Sequence, residues 1–196
     1  MFKTGFQGGE QGLKDVHHAS EMTGLFFDMI NSYPKPVIML AEGAAMAGGL
    51  GMLCAGDIVV VTEDCKFALT ETTLGIPPAQ IAPFVSQRIG LAKARRIMLT
   101  AARFTGKEAH EMGLADFVAK DADDLKVIEA DIKKGVLKCA PGANAVTKEI
   151  VLATRHLTRK EMIEFAAKGF AERMLSDEGK EGISSFIEKR KPKWSK

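Results

Sequence analysis

A chain of 196 residues, 46% apolar and 27% charged, is long enough to bury one sizeable core and is too apolar to be disordered. Its net charge of +2 gives no argument for a nucleic acid or a membrane surface as partner, and neither is expected. No charged-then-apolar leader opens the chain and no apolar run is long enough to span a bilayer, so a cytoplasmic protein is the expectation. The cysteines Cys54, Cys65 and Cys139 have no metal-ligand spacing and read as small core residues in a reducing compartment.

Residues 1–12 (MFKTGFQGGEQG) are glycine-rich and polar, and no strand precedes the first helical pattern. That pattern spans residues 16–31, where Met22, Leu25, Phe26, Met29 and Ile30 recur at three-to-four spacing. Pro34 and Pro36 end it and lead into a strand at 37–40. A parallel sheet that starts only there is thin, so further strands of the fold are expected upstream of Met1. A short buried helix is predicted over Gly48–Ala55, a β-branched strand over Ile58–Thr62 and a brief strand over 66–69. Residues 74–78 form a turn, and helices follow at 81–88 and 92–99, the second with Lys93, Arg95 and Arg96 on a solvated face. Thr105 caps a helix from Gly106, Glu108 completes a capping box, Met112-Gly113 ends the helix, and Phe117-Val118 is a short strand. The remainder is helical: 123–139, 141–154, 159–175 and a last segment from 179 to about 189.

Strands alternate with helices up to about Val118 and only helices follow, dividing the chain into a core at 1–118 and a helical region at 119–196. Right-handed crossovers are expected in the first part. Met162, Phe165, Phe170 and Met174 in the second have no sheet of their own to cover, which suits a lid or an association module.

Two features could carry chemistry. Residues 45–57 read Ala-Met-Ala-Gly-Gly-Leu-Gly-Met-Leu-Cys-Ala-Gly-Asp, a small-residue turn between a strand and a helix start. A ligand atom can approach such a backbone closely, and free N–H groups at the helix start favour negative charge on an oxygen. Small residues there also serve close helix–sheet packing, so both readings stand. Glu71 lies in Phe-Ala-Leu-Thr-Glu-Thr-Thr-Leu-Gly, an otherwise uncharged stretch. A partly desolvated carboxylate suits general acid–base work, and a loop acid that caps a helix or pairs with a lysine is the alternative. Asp57 reads as a structural acceptor of backbone N–H groups. His17 and His18 are adjacent and face different ways on a helix, and His110 and His156 are isolated. Gly48-Gly49-Leu50-Gly51 lacks dinucleotide spacing, and no P-loop, nucleophile elbow or metal cluster is present. The tail at 186–194 is basic with two aromatics, either a solvated tail or a phosphate-binding one.

In their order and spacing these segments resemble the enoyl-CoA hydratase/isomerase (crotonase) family over nearly the whole chain. The resemblance runs through Lys35-Pro36-Val37-Ile38, the Ala-Gly-Gly turn to Asp57, Lys66-Phe67, residues 71–78, residues 99–114 with Thr105, Glu108, Ala109 and Gly113, and residues 181–192. It implies an α/β crotonase (ClpP/crotonase-like) fold: a ββα spiral core at 1–118, then a C-terminal helical region at 119–196 for trimerisation and active-site covering. It further implies an acyl-CoA thioester substrate, no separate cofactor because coenzyme A is part of the substrate, no metal, and a homotrimer or homohexamer. The Gly48 N–H takes the place of one oxyanion donor. The other belongs to a segment upstream of Met1, so the chain is expected to be N-terminally incomplete. Ala47, Gly49, Gly51 and Pro78 map to substrate-lining positions, and Phe186 and Lys189 to positions that contact the adenine nucleotide, often of a neighbouring subunit. Hydratases of the two-glutamate type have their acids at the positions of Gly51 and Glu71, so only the second is present here.

That pattern is shared by Δ3,Δ2-enoyl-CoA isomerases and by hydratases of 3-substituted glutaconyl-CoA esters in branched amino-acid and acyclic-terpene breakdown. Residues 70–85 (TETTLGIPPAQIAPFV) look most like the latter. Hydration of a branched or 3-substituted 2-enoyl-CoA by Glu71 and Gly48 is the leading expectation. Isomerisation by Glu71 alone is the second, and a chain that binds acyl-CoA or oligomerises without turnover is the third.

Overall fold

The computed structural model describes residues 8–195 and divides into two compact units. The first comprises residues 8–31 and 37–126, the second residues 32–36 and 127–195.

In the first unit, α1 (Glu10–Ser32) begins six residues ahead of its apolar pattern. Its opening turns are held by i,i+4 polar pairs, Lys14 Nζ on Glu10 at 2.6 Å and Gln11 Nε2 on Asp15 at 2.8 Å, which leave no trace in hydrophobic periodicity. Strand β1 (Ile38–Ala41) follows the prolines, then β2 (Ala44–Met46), α2 (Gly48–Ala55), β3 (Ile58–Thr62) and β4 (Lys66–Ala68). One 3₁₀ turn at Glu71–Leu74 leads to α3 (Ala82–Ile89) and α4 (Leu91–Leu99). After them come β5 (Arg103–Thr105), α5 (Gly106–Met112), β6 (Phe117–Ala119) and α6 (Ala122–Leu137).

The strands form two three-stranded sheets. In one, β3 lies between β1 and β6, all parallel, with Ile38 opposite Ile58 and Val60 opposite Phe117. Val59, Val60 and Val61 are fully buried, as a central strand covered on both faces requires. In the other, β4 lies between parallel β2 and antiparallel β5. Neither β2 nor β5 was expected: each is three residues long and exists only through its pairing with β4, which outweighs weak local propensity.

Charged groups anchor the parallel sheet. Asp57 accepts the Val37 N–H at 2.7 Å, the structural role expected of it. Arg88, nearly buried on α3, donates to the carbonyls of Leu114 and Gly56 and pairs with Asp116, which also accepts the Val59 N–H. Thr105 and Glu108 form the expected capping box.

The second unit holds most of α6, then α7 (Pro141–Ala153), α8 (Arg159–Leu175) and α9 (Asp177–Ile187). No residue of α8 is buried, and Phe165, Phe170 and Met174 are exposed while Met162 is half-buried. Helix α9 starts two residues before the expected residue 179, capped by Ser176, whose Oγ accepts the Gly179 N–H at 3.1 Å. Cys139 is exposed, against the expectation that all three cysteines are core residues: it lies in the turn after α6, behind the exposed Leu137 and Lys138. Among the described residues no helix is long and apolar enough to cross a membrane.

Candidate active site

Parallel strands β2 and β4 end side by side, Met46 opposite Ala68, and their continuations carry the two candidate features. The pairing extends one residue further, with the Ala47 N–H donating to Ala68 O at 3.0 Å. Neighbouring strands lie about 4.8 Å apart. The turn into α2 and the segment Leu69-Thr70-Glu71 therefore leave the same edge of one small sheet.

At that edge Ala47 has φ 48 and ψ −120, a conformation that suits glycine and strains alanine. The strain is stored between a fixed strand end and the first turn of α2, where Gly51 N–H closes onto Ala47 O at 3.1 Å. Gly48 is the first helical residue, so its N–H has no acceptor within the helix, and no side chain caps the helix. A Cβ placed on Gly48 would meet nothing within 4 Å. A free donor at the positive end of a helix, on a residue without a side chain, can hold an oxygen that gains negative charge.

Gly51, one turn on, is the opposite case. A Cβ there would lie 2.9 and 3.1 Å from Ile81 Cγ1 and Cγ2 and 3.2 Å from Phe27 Cε2. The volume a side chain would need is already filled by two core residues. The sequence shows that an acid is missing at this position; only the fold shows that its space is taken.

Glu71 opens the 3₁₀ turn and is 8% exposed. Its Oε2 is buried and has no hydrogen-bond partner. The turn is fixed from three sides: Thr72 Oγ1 donates to Met98 O on α4 at 3.1 Å, Thr73 Oγ1 to Thr70 O at 2.7 Å, and Ile76 N–H to Glu71 O at 3.2 Å. An orphaned carboxylate oxygen held on a rigid turn costs stability, which is the mark of a group kept for something other than packing. Neither lysine pairing nor helix capping, the alternatives open in the sequence, is found for it. Pro78 is half-buried, and its carbonyl accepts the Ala82 N–H at the start of α3.

Phe186 and Lys189 lie together at the end of α9 in the second unit, Phe186 84% exposed. Two cavities lie elsewhere: a groove of about 470 Å³ between α1 and the start of α3, and an apolar one of about 550 Å³ among α7, α8 and α9. Neither is lined by Glu71 or the glycine turn, so it is the strand-end chemistry that marks the site. The buried thiols take no part: burial pushes Cys54 up to about 12, and burial together with the Asp64 carboxylate pushes Cys65 up to about 11.

The family profile described as enoyl-CoA hydratase/isomerase matches residues 7–196. The chain belongs to that family. A probable enoyl-CoA hydratase of Bacillus subtilis is 33% identical over 186 residues, 94% of this chain and 72% of the relative. The peroxisomal Δ(3,5)-Δ(2,4)-dienoyl-CoA isomerase of Arabidopsis thaliana is 31% identical over 166 residues, 83% of this chain and 59% of the relative. The solved structure of Pseudomonas aeruginosa AtuE superposes with a TM-score of 0.90 at 41% identity, covering 96% of this chain and 72% of that one. The fold, two small sheets and a helix-rich second part, is the crotonase fold.

Proposed function

We propose that this chain hydrates the double bond of a branched or 3-substituted 2-enoyl-CoA thioester. Glu71 would be the general acid/base and the Gly48 N–H a donor to the thioester oxygen. The observation that carries the reading is the buried, unpartnered Glu71 Oε2 beside the strained turn that leaves Gly48 N–H free. In the reaction the Glu71 carboxylate takes a proton from water as the water oxygen bonds to C3. The π electrons move onto the thioester oxygen, forming an enolate that Gly48 N–H and the α2 dipole stabilise. Glu71 then returns the proton to C2. One well-placed oxyanion donor contributes about 3–4 kcal/mol in the transition state.

The filled space at Gly51 supports single-acid chemistry, since Ile81 and Phe27 would have to move before a second carboxylate fitted there. A 3-substituted glutaconyl ester brings a carboxylate of its own, which can help to orient the water, and the resemblance of residues 70–85 favours that substrate class. Ala47, Gly49 and Pro78 would line the acyl group and thioester, and Phe186 and Lys189 would meet the adenine nucleotide; Gly51, expected with the first set, is buried against Ile81 and Phe27. Of the described residues, those up to 118 would form the spiral core, with those from 119 serving assembly. Exposed Phe170, Leu175 and Ile187 suit burial between subunits of a homotrimer or homohexamer.

One observation favours a second reading. A lone buried acid is also what an isomerase needs, taking a proton from C2 and returning it to C4, and a relative at 31% identity carries an isomerase name. The test is turnover of crotonyl-CoA, a 3-methylglutaconyl-type ester and a 3-enoyl-CoA by the wild type and by Glu71→Gln. Hydration of the 3-substituted ester that is lost in Glu71→Gln supports the proposal. Conversion of the 3-enoyl ester alone supports the isomerase, and no turnover of any ester supports binding without catalysis.

A further inference from the structure

Helix α9 ends on a turn that a lysine does not adopt without cost. Lys189 has φ 54, its N–H donates to Phe186 O at 3.2 Å, and the Arg190 N–H donates to Ser185 O at 3.0 Å. Those two bonds close a Schellman turn, whose left-handed position is normally glycine because any Cβ is crowded there. Something besides those two backbone bonds must hold Lys189 in it.

The hold is Glu181, one and a half turns before the helix end and only 14% exposed. Its two oxygens accept a forked pair from Arg190, Nη1 to Oε1 at 2.6 Å and Nη2 to Oε2 at 3.0 Å. Oε1 also accepts the Lys193 backbone N–H at 3.0 Å. Arg190 Nε is in turn fixed by Glu188 at 2.6 Å. The strap ends at Trp194, whose indole N–H donates to Lys138 O at 3.2 Å and whose ring lies against Gly182, where a Cβ would come within 3.1 Å of it. These bonds hold the Glu181 carboxyl down to about 2, so it is ionised at any ordinary pH. With Glu181 and Glu188 engaged by Arg190, Lys189 and Lys191 have no ion-pair partner among the described residues.

We propose that Glu181 is a positioning residue for the substrate's nucleotide: it locks the Lys189 turn and so presents an unpaired ammonium to a phosphate group of coenzyme A. The inference rests on the reading that Lys189 meets that end of the substrate. A lysine on a fixed turn loses less freedom on binding than one on a frayed helix end, and a compact ammonium suits a phosphate. Charge alone makes the opposite forecast, because removing a carboxylate beside two lysines should strengthen attraction for an anion.

The test compares two saturated ligands by calorimetry: butyryl-CoA, and S-butyryl-pantetheine, which lacks the nucleotide. Lys189→Ala should weaken butyryl-CoA binding roughly tenfold, the scale of one charge-assisted contact, and leave the pantetheine ester unchanged. Glu181→Gln should weaken butyryl-CoA to a similar degree, again sparing the pantetheine ester. In a Lys189→Gly background, where the turn needs no help and the ammonium is gone, Glu181→Gln should have no further effect. If Glu181→Gln does not fold, Glu181→Asp, too short to reach both guanidinium nitrogens, carries the same expectation. Unchanged or tighter butyryl-CoA binding by Glu181→Gln, beside a loss in Lys189→Ala, refutes the positioning role alone. Equal loss for both esters marks a general structural effect and also refutes it. Unchanged binding by Lys189→Ala overturns the reading beneath it and the proposal together.

Discussion

Replacing Gly51 by alanine tests directly whether the place of a second acid is filled. A methyl group there would sit 2.9 and 3.1 Å from two carbons of Ile81 and 3.2 Å from one of Phe27, against about 3.5–4.0 Å for a relaxed carbon contact. Both neighbours are core residues, and Phe27 is braced edge-on by Phe84 at 5.8 Å between ring centroids, so neither yields freely. Overpacking of this kind costs about 1–3 kcal/mol. Alanine in place of glycine within α2 returns about 1 kcal/mol of helix propensity, so the net cost is about 0–2 kcal/mol. In an Ile81→Ala background the two shortest contacts vanish and the same change should stabilise by about 1 kcal/mol. The reversal between backgrounds, about 1–3 kcal/mol of coupling, is the quantity to measure by denaturant unfolding in a double-mutant cycle. Additive effects would show that Gly51 has room after all, and the single-acid account would lose its structural basis.

Acid should release the tail strap. The Glu181 carboxyl is held at about 2, below its ordinary 4.5, so its stabilisation is complete above pH 4.5 and is lost as the pH falls toward 2. Trp194 is the only tryptophan, so its fluorescence should titrate in that window before helical circular dichroism is lost, and Glu181→Gln should show the acid-form emission at neutral pH; emission that changes only with helix melting contradicts this. Arg88→Met strands the Gly56 and Leu114 carbonyls and leaves Asp116 without its cation. Asp116 is 43% exposed, so the stranded carbonyls set the cost at about 1–3 kcal/mol, lowering Tm by roughly 2–12 °C, and an unchanged Tm would refute the anchoring role. With a thiol reagent at neutral pH, Cys139 should react at once while Cys54 and Cys65 wait for unfolding; rapid labelling of all three would contradict their burial.

What the sequence disclosed and what it hid have separate physical causes. Helix α2 and strand β3 fall on their predicted residues because each is bounded by its own chemistry: a small-residue turn before Gly48, and a β-branched run closed by Thr62. The capping box at Thr105 is equally local. Strands β2 and β5 were invisible because their partner, β4, decides them. Glu71 is legible as an acid without charged neighbours, yet its buried, unpartnered Oε2 shows only in the fold, where Thr72 ties the turn to α4. Ala47 was placed at the turn, but nothing in an alanine announces φ 48. The filled space at Gly51 comes from residues 24 and 30 positions away, and the grip of Glu181 on Arg190 spans a helix end. Such pairings become visible only when the chain is folded.

The most direct measurement is turnover of a 3-substituted 2-enoyl-CoA by Glu71→Gln beside the wild type, with binding of a saturated ester and thermal unfolding followed on the same samples. Loss of a general acid/base costs about 10²–10⁴-fold in kcat. The account predicts a fall of that size with the dissociation constant and Tm little changed. Hydration at the wild-type rate in Glu71→Gln would contradict it.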